Sequence, residues 1–347
     1  LGVTYAHFDP HSPLEREDFI LDTLNPTLML NFVDGTLTVF SNKITEKLPD
    51  YSHKTFHSVT FLENKIASLC EYIHGETTAY IMFTSGSTGK PKGVAISQSS
   101  LINFISWVRT TYGVGYGDAF SGLNQSHFDN SVFDLYGSVY NGASLLPITS
   151  KELKFPTKVL AKLNQLKATI WFSVPSYLTY CLKLKTFMPE RTALIRAIIF
   201  GGEGFPKGNL KKLRESISEN TNLYNVYGPT EATCICSSYK ITEKDLQDLS
   251  TLAPLGKLAP NFGFKIENKN EDGVGELVLL GPQIAQGYVA NQELTNQKFT
   301  FVNELGLFEK AYYTGDLVKL NNGMLHFMGR TDNQIKHMGY RIELEEI

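Results

Sequence analysis

Residues Phe83 to Gly93 read FTSGSTGKPKG, which places three glycines, the hydroxyls of Thr84, Ser85, Ser87 and Thr88, and Lys90 and Lys92 in one short loop after the apolar stretch AYIMF. Glycines let backbone N–H groups turn toward an anion, hydroxyls add donors and lysines offset negative charge, so such a loop can wrap phosphate oxygens. The spacing is not the GxxxxGK[ST] of a P-loop NTPase, because Pro91, which has no N–H, stands five residues after Gly86. A flexible Ser/Gly surface loop has the same composition, and the stretch alone leaves the function open. Metal-protease and serine-hydrolase chemistry find no support: His53 and His57 are four apart but lack the adjoining Glu of HExxH, and no GxSxG occurs.

Three further stretches follow in order: YGPTE at Tyr227 to Glu231, YTGD at Tyr313 to Asp316, and GRTDNQIKHMGYRIELEE at Gly329 to Glu346. Together with the glycine-rich loop they resemble the AMP-forming adenylation enzymes, and within them the amino-acid-activating domains of non-ribosomal peptide synthetases and the D-alanine–carrier protein ligases. The likeness spans essentially the whole chain. NVYGPTEAT, GPQIAQGY and HMGYRIELEEI look especially like the D-alanine ligases.

The resemblance implies ATP-dependent activation of an amino acid to an aminoacyl adenylate, with pyrophosphate released and Mg²⁺ assisting, then transfer to the phosphopantetheine thiol of an acyl or peptidyl carrier protein. It assigns Thr84, Ser85, Gly86, Thr88, Gly89 and Lys92 to the phosphates, Thr230 to the α-phosphate and Glu231 to the metal. Asp316 is expected at the ribose hydroxyls and Arg330 near ribose and phosphate. The adenine would meet Gly202, Glu203, Gly204, the ring of Tyr227 and the amide of Asn225.

In SHFDNSVFDLYG, Asp129 resembles the carboxylate that grips the α-ammonium and Phe128 the aromatic gate beside it, with Asp134 the competing acid. A side-chain pocket for a neutral substrate is expected from Asn130, Phe133, Phe172, Ile198, Phe200, Gly201, Val226, Cys234 and Ile235. Gly201 departs from the Cys of the D-alanine ligases, which leaves the amino acid and its enantiomer open and suggests room for something larger. An inert nucleotide-binding or scaffolding relative, and a fatty- or aryl-acid ligase, are the alternatives.

These residues need elements to hold them. From 79 to 240 short apolar runs alternate with helical patterns, such as Leu101, Phe104, Ile105 and Val108 in one stretch, which reads as α/β material. After about residue 250 short strands punctuated by Gly, Pro and Asn take over, with Asn321-Asn322-Gly323 marking a hairpin. We therefore expect an α/β fold with mixed sheets flanked by helices. Its parts would be an α/β core over 1–240, a β-rich subdomain over 241–330, and a last stretch over 331–347, where RIELEEI looks helical; the resemblance implies that the core binds nucleotide and substrate and that Asp332 is a hinge opening the start of a small C-terminal domain.

The start, LGVTYAHFDPHSP, lacks an initiator Met and a signal pattern and resembles the inside of an early family motif, so a longer parent is expected. The family's small C-terminal domain, with its catalytic Lys, finds no match here; Lys336 belongs to a different, thiolation-side motif. The 347 residues carry 32 Lys and Arg against 35 Asp and Glu, a net charge of −3, which argues against a nucleic-acid-coating role. No apolar run nears the roughly 20 residues of a membrane span. Cys70, Cys181, Cys234 and Cys236 form no CxxC pair, and free thiols in a reducing cytoplasm are expected.

Overall fold

The computed structural model describes residues 4–7, 9, 11–26, 28–33, 36–41, 73–86, 90–304, 307–332, 334–337 and 340–343. Thr88, Gly89, His53, His57 and Cys70 lie outside them.

Strand Thr78–Thr84 runs antiparallel to Lys92–Ser97, and the pairing of Thr84 with Lys92 makes the glycine- and hydroxyl-rich loop the closure of a β-hairpin. Tyr5–His7 and Gly287–Tyr288 flank this hairpin to complete a four-stranded sheet. Ser97 then caps the helix Gln98–Tyr112 by accepting from the Ser100 N–H, and Gly113, left-handed at φ 60°, ends it. Leu101, Phe104, Ile105 and Val108 are buried on one face, as their spacing predicts.

The seven-stranded sheet is parallel through its centre. Ser144–Pro147, Ala119–Gly122, Ile170–Ser173, Ala197–Gly201 and Asn222–Tyr227 lie side by side, joined through helical crossovers, and Ser237–Lys240 and Lys257–Leu258 add antiparallel strands at one edge. Because successive side chains on a strand face opposite ways, the central strands feed two cores. Ile170, Phe172, Ala197, Ile199 and Val226 join one, while Trp171, Ile198, Phe200 and Leu223 join the other.

A third sheet collects Gly263–Glu267, Val274–Leu280, Leu307–Asn321, Phe299–Glu304 and Met324–Arg330. Its last hairpin turns at Asn322 and Gly323, both at positive φ (49° and 73°), the backbone that Asn-Gly supplies at low cost. Of the stretch read as helical at the end of the chain, residues 344–347 lie outside the described ones, and the described residues belong to a strand, Tyr340–Glu343, paired with Gln334–His337. Its alternating apolar and charged residues suit a ladder as well as a helix start. No helix among the described residues is long and apolar enough to cross a membrane.

Candidate functional site

Ligands of open α/β sheets sit beyond the carboxyl ends of the strands, and the cavities of this protein lie there. One cleft, about 420 Å³, is lined by Thr84 and Ser85, by Gly228, Pro229 and Thr230, and by Thr314, Asp316 and Arg330. Residues of three separate sheets thus meet around one space. A second cavity of about 590 Å³ opens beside it, lined by Gly202, Glu203, Gly204, Asn225 and Tyr227; Asp316 and Arg330 border both.

Asp316 is the centre of a buried polar network. Its Oδ2 accepts from the Tyr227 hydroxyl at 2.6 Å, and its Oδ1 accepts from Arg330 Nη1. Burial, with the Asp316 charge next, pushes the Tyr227 phenol well above its ordinary value, so it stays a donor. The Asn225 amide donates to the Pro254 carbonyl at 2.8 Å, which fixes its orientation at the second cavity. Glu203 accepts from the Ser176 N–H, in the first turn of the helix Pro175–Lys183, where a carboxylate also complements the helix dipole.

On the other side of the first cleft, Asp129 Oδ2 accepts from the Thr230 hydroxyl at 2.6 Å. Phe128, Asn130, Phe172, Gly201, Val226, Cys234 and Ile235 line the same cleft. Burial, then the nearby Asp129 charge, raises the Cys234 thiol well above its usual range and keeps it neutral. Asp134 is fully buried and accepts from the Asn124 N–H and side-chain amide. Burial outweighs these bonds and pushes its carboxyl well up, which disfavours the charged form, and its bonds to Asn124 make Asp134 a brace for the loop rather than a lining rival to Asp129.

Three pocket residues expected from the sequence lie elsewhere. Ile198 and Phe200 have the wrong strand parity: they face the second core with Trp171, while Gly201 faces the cleft. Phe133 is packed against the rings of Tyr112, Phe120 and Phe172 at centroid distances of 5.8, 5.5 and 4.8 Å. Nor does Gly201 open extra room. A Cβ there would sit 2.4 Å from the Val226 carbonyl oxygen and 2.6 Å from Val226 Cγ2, so Val226 already occupies that space.

Glu231 is 0% exposed and stands behind the cleft wall, not on it. Its Oε1 accepts from the Tyr288 hydroxyl at 2.8 Å and lies 3.9 Å from Lys92 Nζ, which also stacks over the Tyr288 ring. Gly86 ends the described part of the loop and, like Lys92, is not a lining residue.

Sequence reasoning missed Tyr288, Thr314, Gln334 and the cleft-lining group His7, Asp9, His11, Arg16 and His127. Tyr288 and Gln334 lie in stretches singled out above. His127 adjoins Phe128 in the substrate segment and stands 3.7 Å from Asp9.

The chain belongs to the AMP-binding enzyme family, matching it over residues 1–289. Among curated relatives it is 38% identical over 283 residues to a D-alanine–D-alanyl carrier protein ligase of Bacillus licheniformis, covering 80% of this chain and 55% of that protein. It is 33% identical over 359 residues to the ligase of that name from Bacillus cereus, covering all of this chain and 68% of the relative. Among solved structures it resembles the Vibrio cholerae adenylation domain AlmE in complex with glycyl-adenosine-5′-phosphate. The TM-score is 0.70 at 28% identity, over 81% of this chain and 54% of that one. The chain thus spans between about half and two thirds of the length of these proteins.

Proposed function

We propose that this chain is the nucleotide- and substrate-binding part of an AMP-forming amino acid ligase. An amino acid carboxylate oxygen attacks the α-phosphorus of ATP, the bond to the β-phosphate breaks, and pyrophosphate leaves. The thiol of a carrier protein's phosphopantetheine then attacks the acyl carbon, AMP leaves, and the thiol proton passes to solvent. Both steps join anions or expel them, so positioning and charge screening suffice without a covalent enzyme intermediate.

The observation that carries the reading is the Asp129–Thr230 pair. The carboxylate proposed for the substrate ammonium is bonded to the hydroxyl proposed for the α-phosphate, in the cleft that also holds Asp316 and Arg330. In this reading Asp316 takes the ribose hydroxyls, Gly202, Glu203, Gly204, Asn225 and Tyr227 surround the adenine, Arg330 meets ribose and phosphate, and Thr84 and Ser85 meet the outer phosphates. Thr88 and Gly89 keep their proposed place in the phosphate loop on resemblance alone.

A Mg²⁺ carried on a triphosphate asks the protein for only one or two carboxylates. The resemblance names Glu231 for one; it stands behind the cleft wall on the Tyr288 hydroxyl and beside Lys92, and would have to turn from them to meet such an ion. Bound there, it would offset phosphate charge. The described cysteines are free and buried, which suits a reducing, cytoplasmic setting.

For the substrate we favour a small neutral amino acid, D-alanine or glycine first. The relatives' names point that way, and so does a wall built of Phe172, Val226, Cys234 and Ile235 with the space at Gly201 filled. The test is amino-acid-dependent exchange of pyrophosphate into ATP across all amino acids and both enantiomers, in a chain extended to the full length of its relatives. Exchange with small amino acids supports the reading; no exchange with any of them would favour an inert nucleotide-binding relative.

A further inference from the structure

Arg330 is held from several sides. Its Nε donates to Asp332 Oδ1 at 2.6 Å and its Nη2 to Asp332 Oδ2 at 2.7 Å, a side-on bidentate pair, while Nη1 donates to Asp316 and Nη2 also reaches the Thr314 carbonyl at 3.3 Å. Most of the guanidinium's N–H donors already point at protein oxygens. A phosphate that is to bind this side chain must therefore take the place of one of these partners.

The two carboxylates differ in how easily they let go. Asp316 is 9% exposed and is also fixed by Tyr227, whereas Asp332 is 38% exposed and can be rehydrated where it stands. The Arg330–Asp332 pair lies across Gly315, at φ +73°, where an added Cβ would come within 2.8 Å of Arg330 Nη2 and 3.1 Å of Asp332 Oδ2. A bare glycine is what allows the pair to lie so close to the Thr-Gly-Asp strand. Burial alone would raise the Asp332 carboxyl, but the bonds and charge of Arg330 outweigh it and hold it below the usual carboxylate range. Asp332 Oδ1 also accepts from the Gln334 N–H at 3.2 Å, and Gln334 opens the strand Gln334–His337 and borders both cavities.

We propose, resting on the nucleotide reading above, that Asp332 is a positioning residue that competes with nucleotide phosphate for Arg330. A phosphate seated on Arg330 displaces Asp332 and releases the amide of Gln334. The ribose is taken by Asp316, which holds Arg330 through Nη1, whereas Asp332 holds Nε and Nη2; a ribose meeting Arg330 beside Asp316 leaves Asp332 in place, so the response belongs to the phosphate and not to the nucleoside.

Hydrogen–deuterium exchange and titration calorimetry with AMP, and with adenosine as the phosphate-free probe, test this on the present chain and on Asp332→Asn. AMP speeds exchange at the Gln334 amide of the unsubstituted protein and adenosine does not. Asp332→Asn binds AMP roughly two- to fivefold tighter, the size of one partly exposed ion pair, with adenosine affinity unchanged. The proposal is overturned if AMP binds but leaves Gln334 unchanged or more protected, or if the variant binds AMP no more tightly. If AMP does not bind at all, the nucleotide reading of the cleft falls first, and this inference with it.

Discussion

Replacing Asp129 with Asn removes a charge while keeping an oxygen that the Thr230 hydroxyl can still donate to across 2.6 Å. The loss therefore reports on the substrate ammonium and not on the wall. Two unit charges about 4 Å apart attract by roughly 4 kcal/mol at the effective dielectric of a partly solvated site. Asp129 is half-buried, and water restores part of this in the variant. A net cost of about 2–3 kcal/mol remains, or roughly a 30- to 150-fold fall in kcat/KM at about 1.4 kcal/mol per decade. The assay is pyrophosphate exchange with alanine, run beside propionate, which has the same carboxylate and no amine. The alanine rate should fall by that factor, while any slow propionate rate stays within about threefold. An equal loss for both acids, or a loss under about threefold for alanine, would refute the assignment of Asp129.

Tyr227→Phe removes the buried hydroxyl that donates to Asp316. It should cost about 1–3 kcal/mol of stability in denaturant unfolding, since a buried charged acceptor loses its partner, and weaken AMP binding as well. Gly201→Ala places a methyl against the Val226 carbonyl. It should destabilise by about 1–3 kcal/mol and lower, not broaden, activity in an amino acid screen. Asp134 carries a raised native carboxyl pKa. The folded state then holds a proton that the unfolded chain gives up, so stability is fully present below the ordinary carboxylate range and falls as pH rises above it. The slope is up to about 1.4 kcal/mol per pH unit until the native group ionises. Asp134→Asn, which cannot ionise, should abolish that part of the slope in urea melts taken from pH 4 to 8. An unchanged slope would mean that Asp134 is charged in the folded protein.

The local patterns carried most of the architecture. The apolar spacing of Leu101, Phe104, Ile105 and Val108, the Asn322-Gly323 turn and the α/β alternation each follow from short-range rules, and the folded chain agrees with them. The pocket was less legible. Ile198, Phe200 and Gly201 are near neighbours on one strand, but a pleated strand cannot turn all of them to one side, and only Gly201 reaches the cleft. Residue type says nothing about which side of a ring cluster Phe133 joins. The consequence of Gly201 depends on a carbonyl 25 positions away in the chain, at Val226, which no local reading could place. Tyr288 and Asp332 became interpretable only once their partners, Glu231 and Arg330, were seen beside them.

The most direct measurement is a crystal structure of this chain with a non-hydrolysable alanyl-adenylate analogue. Ribose hydroxyls are expected on Asp316, the adenine between Gly202–Gly204 and Tyr227, and the ammonium within hydrogen-bond reach of Asp129. An analogue bound outside this cleft, or one whose ammonium points away from Asp129 while its ribose sits on Asp316, would contradict this placement.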